Sequence, residues 1–161
     1  MKADPLYDGF SAISGDGSIH VTGLQGETRL RTGDGSIQGD SLDGALYAHT
    51  GDGHLHIRGR FDILDLHTGD GSIEADVLPG SKMGSSWRVE TGDGSVTLRL
   101  PNDFGAELDV HTGDGRISMN YPVTVHGYTQ FDRHHVNGRV NGGGAPLTIR
   151  TQDGSVHIAS L

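Results

Sequence analysis

With 161 residues, no cysteine and a formal charge of −9, the chain has the length of one domain, no disulfide or thiolate chemistry, and a charge balance that argues against nucleic acid as partner. Apolar residues other than glycine make up 33% and glycine contributes 27 residues, so the core must be narrow and the turns frequent. No apolar run approaches the ~20 residues of a membrane-spanning helix, and the absence of cysteine fits an exported protein as well as a cytosolic one.

In chain order, "MKADPLYDGF" has no apolar stretch of the signal-peptide kind and is expected to cap the domain over residues 1–10. Repeats follow from about residue 11 to 161. Their core reads SGDGSI, TGDGSI, TGDGHL, TGDGSI, TGDGSV, TGDGRI and TQDGSV, with turn aspartates Asp16, Asp34, Asp52, Asp70, Asp93, Asp114 and Asp153. Between the last two, "HVNGRV" offers Asn137 as a degenerate turn, so eight repeats are expected with spacings 18, 18, 18, 23, 21, 23 and 16.

Aligned on the turn residue, position +3 is always aliphatic, from Ile19 and Ile37 to Val140 and Val156. Position −4 is apolar in every repeat but the one at Asn137, where Arg133 stands. Polar residues alternate between these columns, which is the period of half-buried strands; helical spacing fails, and the glycines oppose a helix. Columns −4 and +5 complement each other in size, Leu30 with Gly39 and Ala48 with Ile57, so these pairs are expected to pack within one repeat.

One pair of short strands cannot bury its own apolar face, whereas stacked neighbours can. The expected fold is therefore all-β: one β-solenoid domain, residues 1–161, of about eight coils with roughly 18–23 residues each. The rival is a set of β-hairpins, because Asp-Gly also favours type I′ turns. The constant 18-residue period over the first four repeats favours identical stacked coils.

In the motif, the glycines are expected to supply positive φ, the Asp an Asx turn, and the inward Thr a hydroxyl for a corner backbone group. Calcium is the sharper reading of the aspartates, but it takes six to eight oxygens and one carboxylate per coil falls short. An ice-binding hydroxyl array is disfavoured because the Thr column points inward. Outward columns −3 and +4 are rich in histidine. His49, His56, His67 and Glu74 are the candidate metal ligands, and a solvated polar ladder is the simpler reading. No cofactor is expected. The longer return connections carry Phe104, Tyr121 and Tyr128, which are candidate partner-binding aromatics unless the loops simply cap the apolar edge.

The unit hydrophobic-x-T-G-D-G-S-I, as at Thr32–Ile37 and Thr68–Ile73, resembles the bacterial putative-adhesin family of β-strand-repeat domains, and the resemblance spans about Ser11 to Ile158. It implies a β-solenoid, usually exported or attached at the cell envelope, with no established enzymatic activity and no functional residues to carry over. The expectation is a non-catalytic structural or adhesive module whose partner is an unknown protein or glycan. The alternatives are a self-assembling unit that dimerises through its end coils and a carbohydrate-active enzyme of the parallel β-helix type. The last needs converging carboxylates, whereas the repeated acids here are equivalent turn residues.

Overall fold

The alternation of aliphatic and polar residues beside each Gly-Asp-Gly becomes strand in the computed structural model, which describes residues 9–79, 86–102, 104–120, 130–131, 134–140 and 144–160. Strands β1 (Gly9–Ser14) and β2 (Ile19–Thr22) flank Asp16, and β3 (Glu27–Thr32) leads into Asp34. Strand β4 (Ile37–Thr50) runs from the Asp34 corner to that of Asp52, and β5 (Leu55–Thr68) continues from there to Asp70. Strand β6 (Ile73–Val77) leaves Asp70; β7 (Trp87–Thr91) and β8 (Val96–Leu100) flank Asp93; β9 (Ala106–Thr112) and β10 (Ile117–Asn120) flank Asp114. After β11 (Gln130–Phe131) and β12 (His135–Val140), β13 (Pro146–Thr151) and β14 (Val156–Ser160) flank Asp153.

All of these strands belong to one sheet that folds around a single core and nearly closes on itself. Strands before a corner pair in the order β1-β3-β4-β5-β7-β13-β9, and strands after a corner in the order β2-β4-β5-β6-β8-β14-β10. Every one of these pairings is parallel. A hairpin at Asp-Gly would make the flanking strands antiparallel partners of each other, so the solenoid-like reading holds and the hairpin rival fails.

The inward columns stack in file. Ile19, Ile37, Leu55, Ile73, Val96, Val156 and Ile117 are successive register partners, and the first six are almost wholly buried. Around Trp87 the core is aromatic: Phe61 meets its ring edge-on at 6.4 Å, and its Nε1 donates to the Asp62 carbonyl at 2.9 Å.

The fold departs from the sequence reading, or goes beyond it, at four points. First, coil order departs from sequence order. The last coil in the chain, β13 and β14, lies between the Asp93 coil and the Asp114 coil. Backbone bonds follow the same path: Ile73 donates to Ser95, Val96 to Ser155, and Val156 to Arg116.

Second, Asn137 is not a corner. It sits in β12, antiparallel to β9 and opposite Asp109, so among the described residues seven corners stack and Asn137 adds no eighth. Two residues before Asn137 stands His135 where each corner has Thr or Ser, and Val136 replaces the first glycine and is buried. Exposed and outside any corner, Asn137 should tolerate Asn137→Ala within about 0.5 kcal/mol in urea denaturation.

Third, the corner glycines do not have positive φ. That geometry belongs to the return connection, at Gly23, Gly26, Gly44 and Ser41 (φ 55°). Glycine is needed at the corner because the neighbouring coil's carbonyl oxygen occupies the place of a Cβ, as the Gly53 oxygen does at Gly71. Fourth, the atoms nearest the space beside Gly39 belong to Leu42 and Ile57 rather than to Leu30: a Cβ there would lie 2.8 Å from Leu42 Cδ1 and 3.5 Å from Ile57 Cδ1. The register shift between Gly39 and Leu42 brings Leu42 inward.

Candidate functional surface

Strand alternation sends the corner Thr inward and its neighbours outward. Each Thr hydroxyl relays between coils. Thr68 Oγ1 donates to the Gly53 carbonyl at 2.9 Å and accepts from the Gly71 N–H at 3.3 Å. The same pair of bonds recurs at Thr50, Thr91, Thr151 and Thr112. The expected satisfaction of a corner backbone group is therefore met twice at these five threonines, while Thr32 Oγ1 donates to the Gly17 carbonyl at 2.9 Å.

Outside the relay, the motif carboxylates run in file along the rod, all exposed, in the order Asp16, Asp34, Asp52, Asp70, Asp93, Asp153, Asp114. None makes a side-chain hydrogen bond or ion pair with a described residue, so no Asx turn accounts for their recurrence. At coil spacings near ~4.8 Å, neighbouring carboxylates repel by less than about 1 kcal/mol in water. Asp70→Asn should therefore raise the melting temperature slightly, and the gain should shrink as salt is added.

Beside that file runs a second outward row, one residue before each corner Thr. It reads Ile13, Arg31, His49, His67, Glu90, Arg150 and His111 along the stack, and His135 of antiparallel β12 continues it as the register partner of His111. The His49 and His67 rings lie 5.6 Å apart, as do those of His111 and His135. His67 Nδ1 is 3.7 Å from Glu90, His49 Nε2 is 3.7 Å from Asp65, and His135 Nε2 is 2.9 Å from Asp109. Open grooves follow the row. One is lined by His67, Glu90, His111, Arg150 and Gln152, another by Ile13, Arg31, His49 and His67. Ile13, 75% exposed, is the large apolar side chain most open to solvent among the described residues.

A family model described as Toastrack DUF4097 matches residues 8–159. The chain belongs to that family. The Toastrack fold is also similar to a crystal structure described as "a putative cell adhesion protein" from Clostridium sporogenes ATCC 15579. The TM-score is 0.52 at 10% identity, over 96% of this chain and 93% of that one. At that identity the likeness is one of fold. None of the curated proteins compared with the chain matches it.

The Toastrack geometry separates the candidate metal ligands. His49 and His67 are neighbours on the arm before the corner, whereas His56 and Glu74 are neighbours on the arm after it. Glu74 is already engaged, because Arg99 Nη1 lies 2.7 Å from both Glu74 and Asp76. The hydrogen bond that Arg99 donates to Asp76, then the one it donates to Glu74, raises the pKa of its guanidinium. Among the described residues no three His, Asp or Glu side chains converge as metal ligands. This Arg99 clasp was legible in principle, since Asp76 and Arg99 share position +6 of adjacent coils.

Of the candidate partner aromatics, Phe104 is buried, with its ring 5.1 Å from that of Trp87. It seals the core rather than presenting a surface, because Trp87 faces inward and leaves an aromatic wall that a second ring can cover. Tyr121 and Tyr128 lie outside the described residues. No helix among the described residues is long and apolar enough to cross a membrane, which does not bear on strand-built membrane proteins.

Proposed function

We propose that the chain is a non-catalytic adhesive or structural module of the cell envelope, which binds a protein or glycan along the row from Ile13 to His135. The supporting observation is that row itself: consecutive coils present Arg, His and Glu side chains at one outward position, beside open grooves. An extended partner can contact the same position on several coils, so weak contacts add along its length. The description of the Clostridium protein as "a putative cell adhesion protein" is compatible with this reading.

An enzyme of the parallel β-helix type is less well supported. Its two carboxylates need unlike environments, whereas the motif aspartates are equivalent and exposed.

The test is a glycan array together with binding to intact bacterial cells, using the full chain and the variant His67→Ala/His111→Ala/Arg150→Ala. These positions are exposed, so the variant should melt like the parent. Its binding should fall by about tenfold or more, about 1.4 kcal/mol or greater. Undiminished binding by the variant would refute the assignment of the row, and silence of the parent on both supports would refute adhesion.

A further inference from the structure

The last coil in the chain is an interior coil of the stack. Strand β13 is hydrogen-bonded to β7 on one side and β9 on the other, and β14 lies between β8 and β10. Its inward side chains Leu147, Ile149, Val156 and Ile158 are fully buried. The coils on either side of it both precede it in sequence, so it completes the stack by entering a slot between them.

The slot recognises a pattern more than an individual sequence. Thr151 Oγ1 donates to the Gly94 carbonyl at 2.9 Å, and Thr112 Oγ1 donates to the Gly154 carbonyl at 2.8 Å. These are the same bonds that join every other pair of stacked corners. The entering segment comprises β13 and β14, Pro146–Thr151 and Val156–Ser160. It is joined to β12 by the sequence Asn-Gly-Gly-Gly-Ala, residues 141–145, three glycines that impose little backbone preference. Once withdrawn, its four aliphatic side chains lose their cover, and the chemistry that restores it is a slot of the same shape.

We propose that this slot, between the Asp93 and Asp114 coils, accepts the C-terminal coil of a second copy of the chain, giving a strand-exchanged dimer. Exchange replaces each intramolecular bond by the identical intermolecular one. Only linker and concentration terms then separate the two states. A rival closure exists: the Asp114 coil can settle directly on the Asp93 coil, where Thr112 would meet Gly94. That closure leaves the released coil uncovered, whereas exchange covers it.

The native chain has no cysteine, which permits a clean thiol test. Arg88 and Thr148 are register partners on adjacent parallel strands, within the reach of a disulfide. One full-length chain carries Arg88→Cys and a differently tagged one carries Thr148→Cys. The two are unfolded together, refolded at high concentration and oxidised. Exchange predicts a mixed-tag disulfide dimer severalfold above the level formed when Arg29→Cys replaces Arg88→Cys, and a yield that rises with chain concentration. Equal yields from the two mixtures overturn the proposal. It is also overturned if a single chain carrying both Arg88→Cys and Thr148→Cys fails to close its own disulfide, since Thr148 would then not lie beside Arg88. The readout involves no ligand, so its failure is distinct from failure of the binding row.

Discussion

Gly71→Ala should destabilise the fold by more than about 3 kcal/mol, beyond the usual penalty for overpacking, while Gly15→Ala should leave stability within about 0.5 kcal/mol. Both glycines flank a corner aspartate, Gly15 before Asp16 in SGDGSI and Gly71 after Asp70 in TGDGSI. They differ in what stands beside them. A Cβ at Gly71 would overlap the Gly53 carbonyl oxygen, with the Gly53 carbonyl carbon and His54 nitrogen close behind. Those atoms are backbone and cannot turn aside. Gly15 lies on the first coil, and a Cβ there meets nothing within 4 Å. If the glycines served positive φ instead, both substitutions would strain the chain alike. Urea denaturation of the two variants separates the explanations: equal losses would mean that coil stacking is not what excludes a side chain at the corner.

How much of this architecture can be read from the residues depends on how local its cause is. The inward columns at +3 and −4 are legible because alternation and a constant repeat fix them within a few residues of each Asp, and Ile37, Ile73 and Ile117 duly stack in one file. Coil order is not legible. Each corner offers its neighbour the same Thr hydroxyl and the same Gly carbonyl, so nothing local distinguishes the Asp153 coil from the Asp114 coil as the partner of the Asp93 coil. The 38 residues between Asp114 and Asp153 invite a hidden repeat. The chain instead uses part of them to lay β12 antiparallel on β9, a choice set by tertiary pairing.

The outward row was legible as separate positions and not as one continuous row. Alternation correctly turns His49 and His67 to solvent, but the corner sends His56 and Glu74 to the other arm, and no one-dimensional column records that rotation. Phe104 misleads for a related reason. An aromatic residue in a long return connection reads as exposed until Trp87 is seen to face inward beneath it.

Replacing Thr68 by valine should destabilise the protein by about 2–4 kcal/mol, because two buried backbone groups lose their partner at once. Valine has nearly the shape of threonine and a strong preference for strands, so propensity and packing alone would make the change harmless or favourable. The hydroxyl is what differs. Without it the Gly53 carbonyl loses a 2.9 Å bond and the Gly71 N–H a 3.3 Å bond, both at a position where the threonine is fully buried and water cannot substitute. Thr68→Ser keeps the oxygen and loses one methyl, so it should cost only about 1 kcal/mol. Ser14 occupies the equivalent place on the first coil and accepts from the Gly17 N–H at 3.0 Å, which shows that serine can make the bond. Thermal melts of the three proteins should rank wild type, then Thr68→Ser, then Thr68→Val. A valine variant as stable as the parent would remove the hydroxyl relay from the account of how one coil holds the next. The coils would then be joined by their aliphatic files and backbone ladders alone.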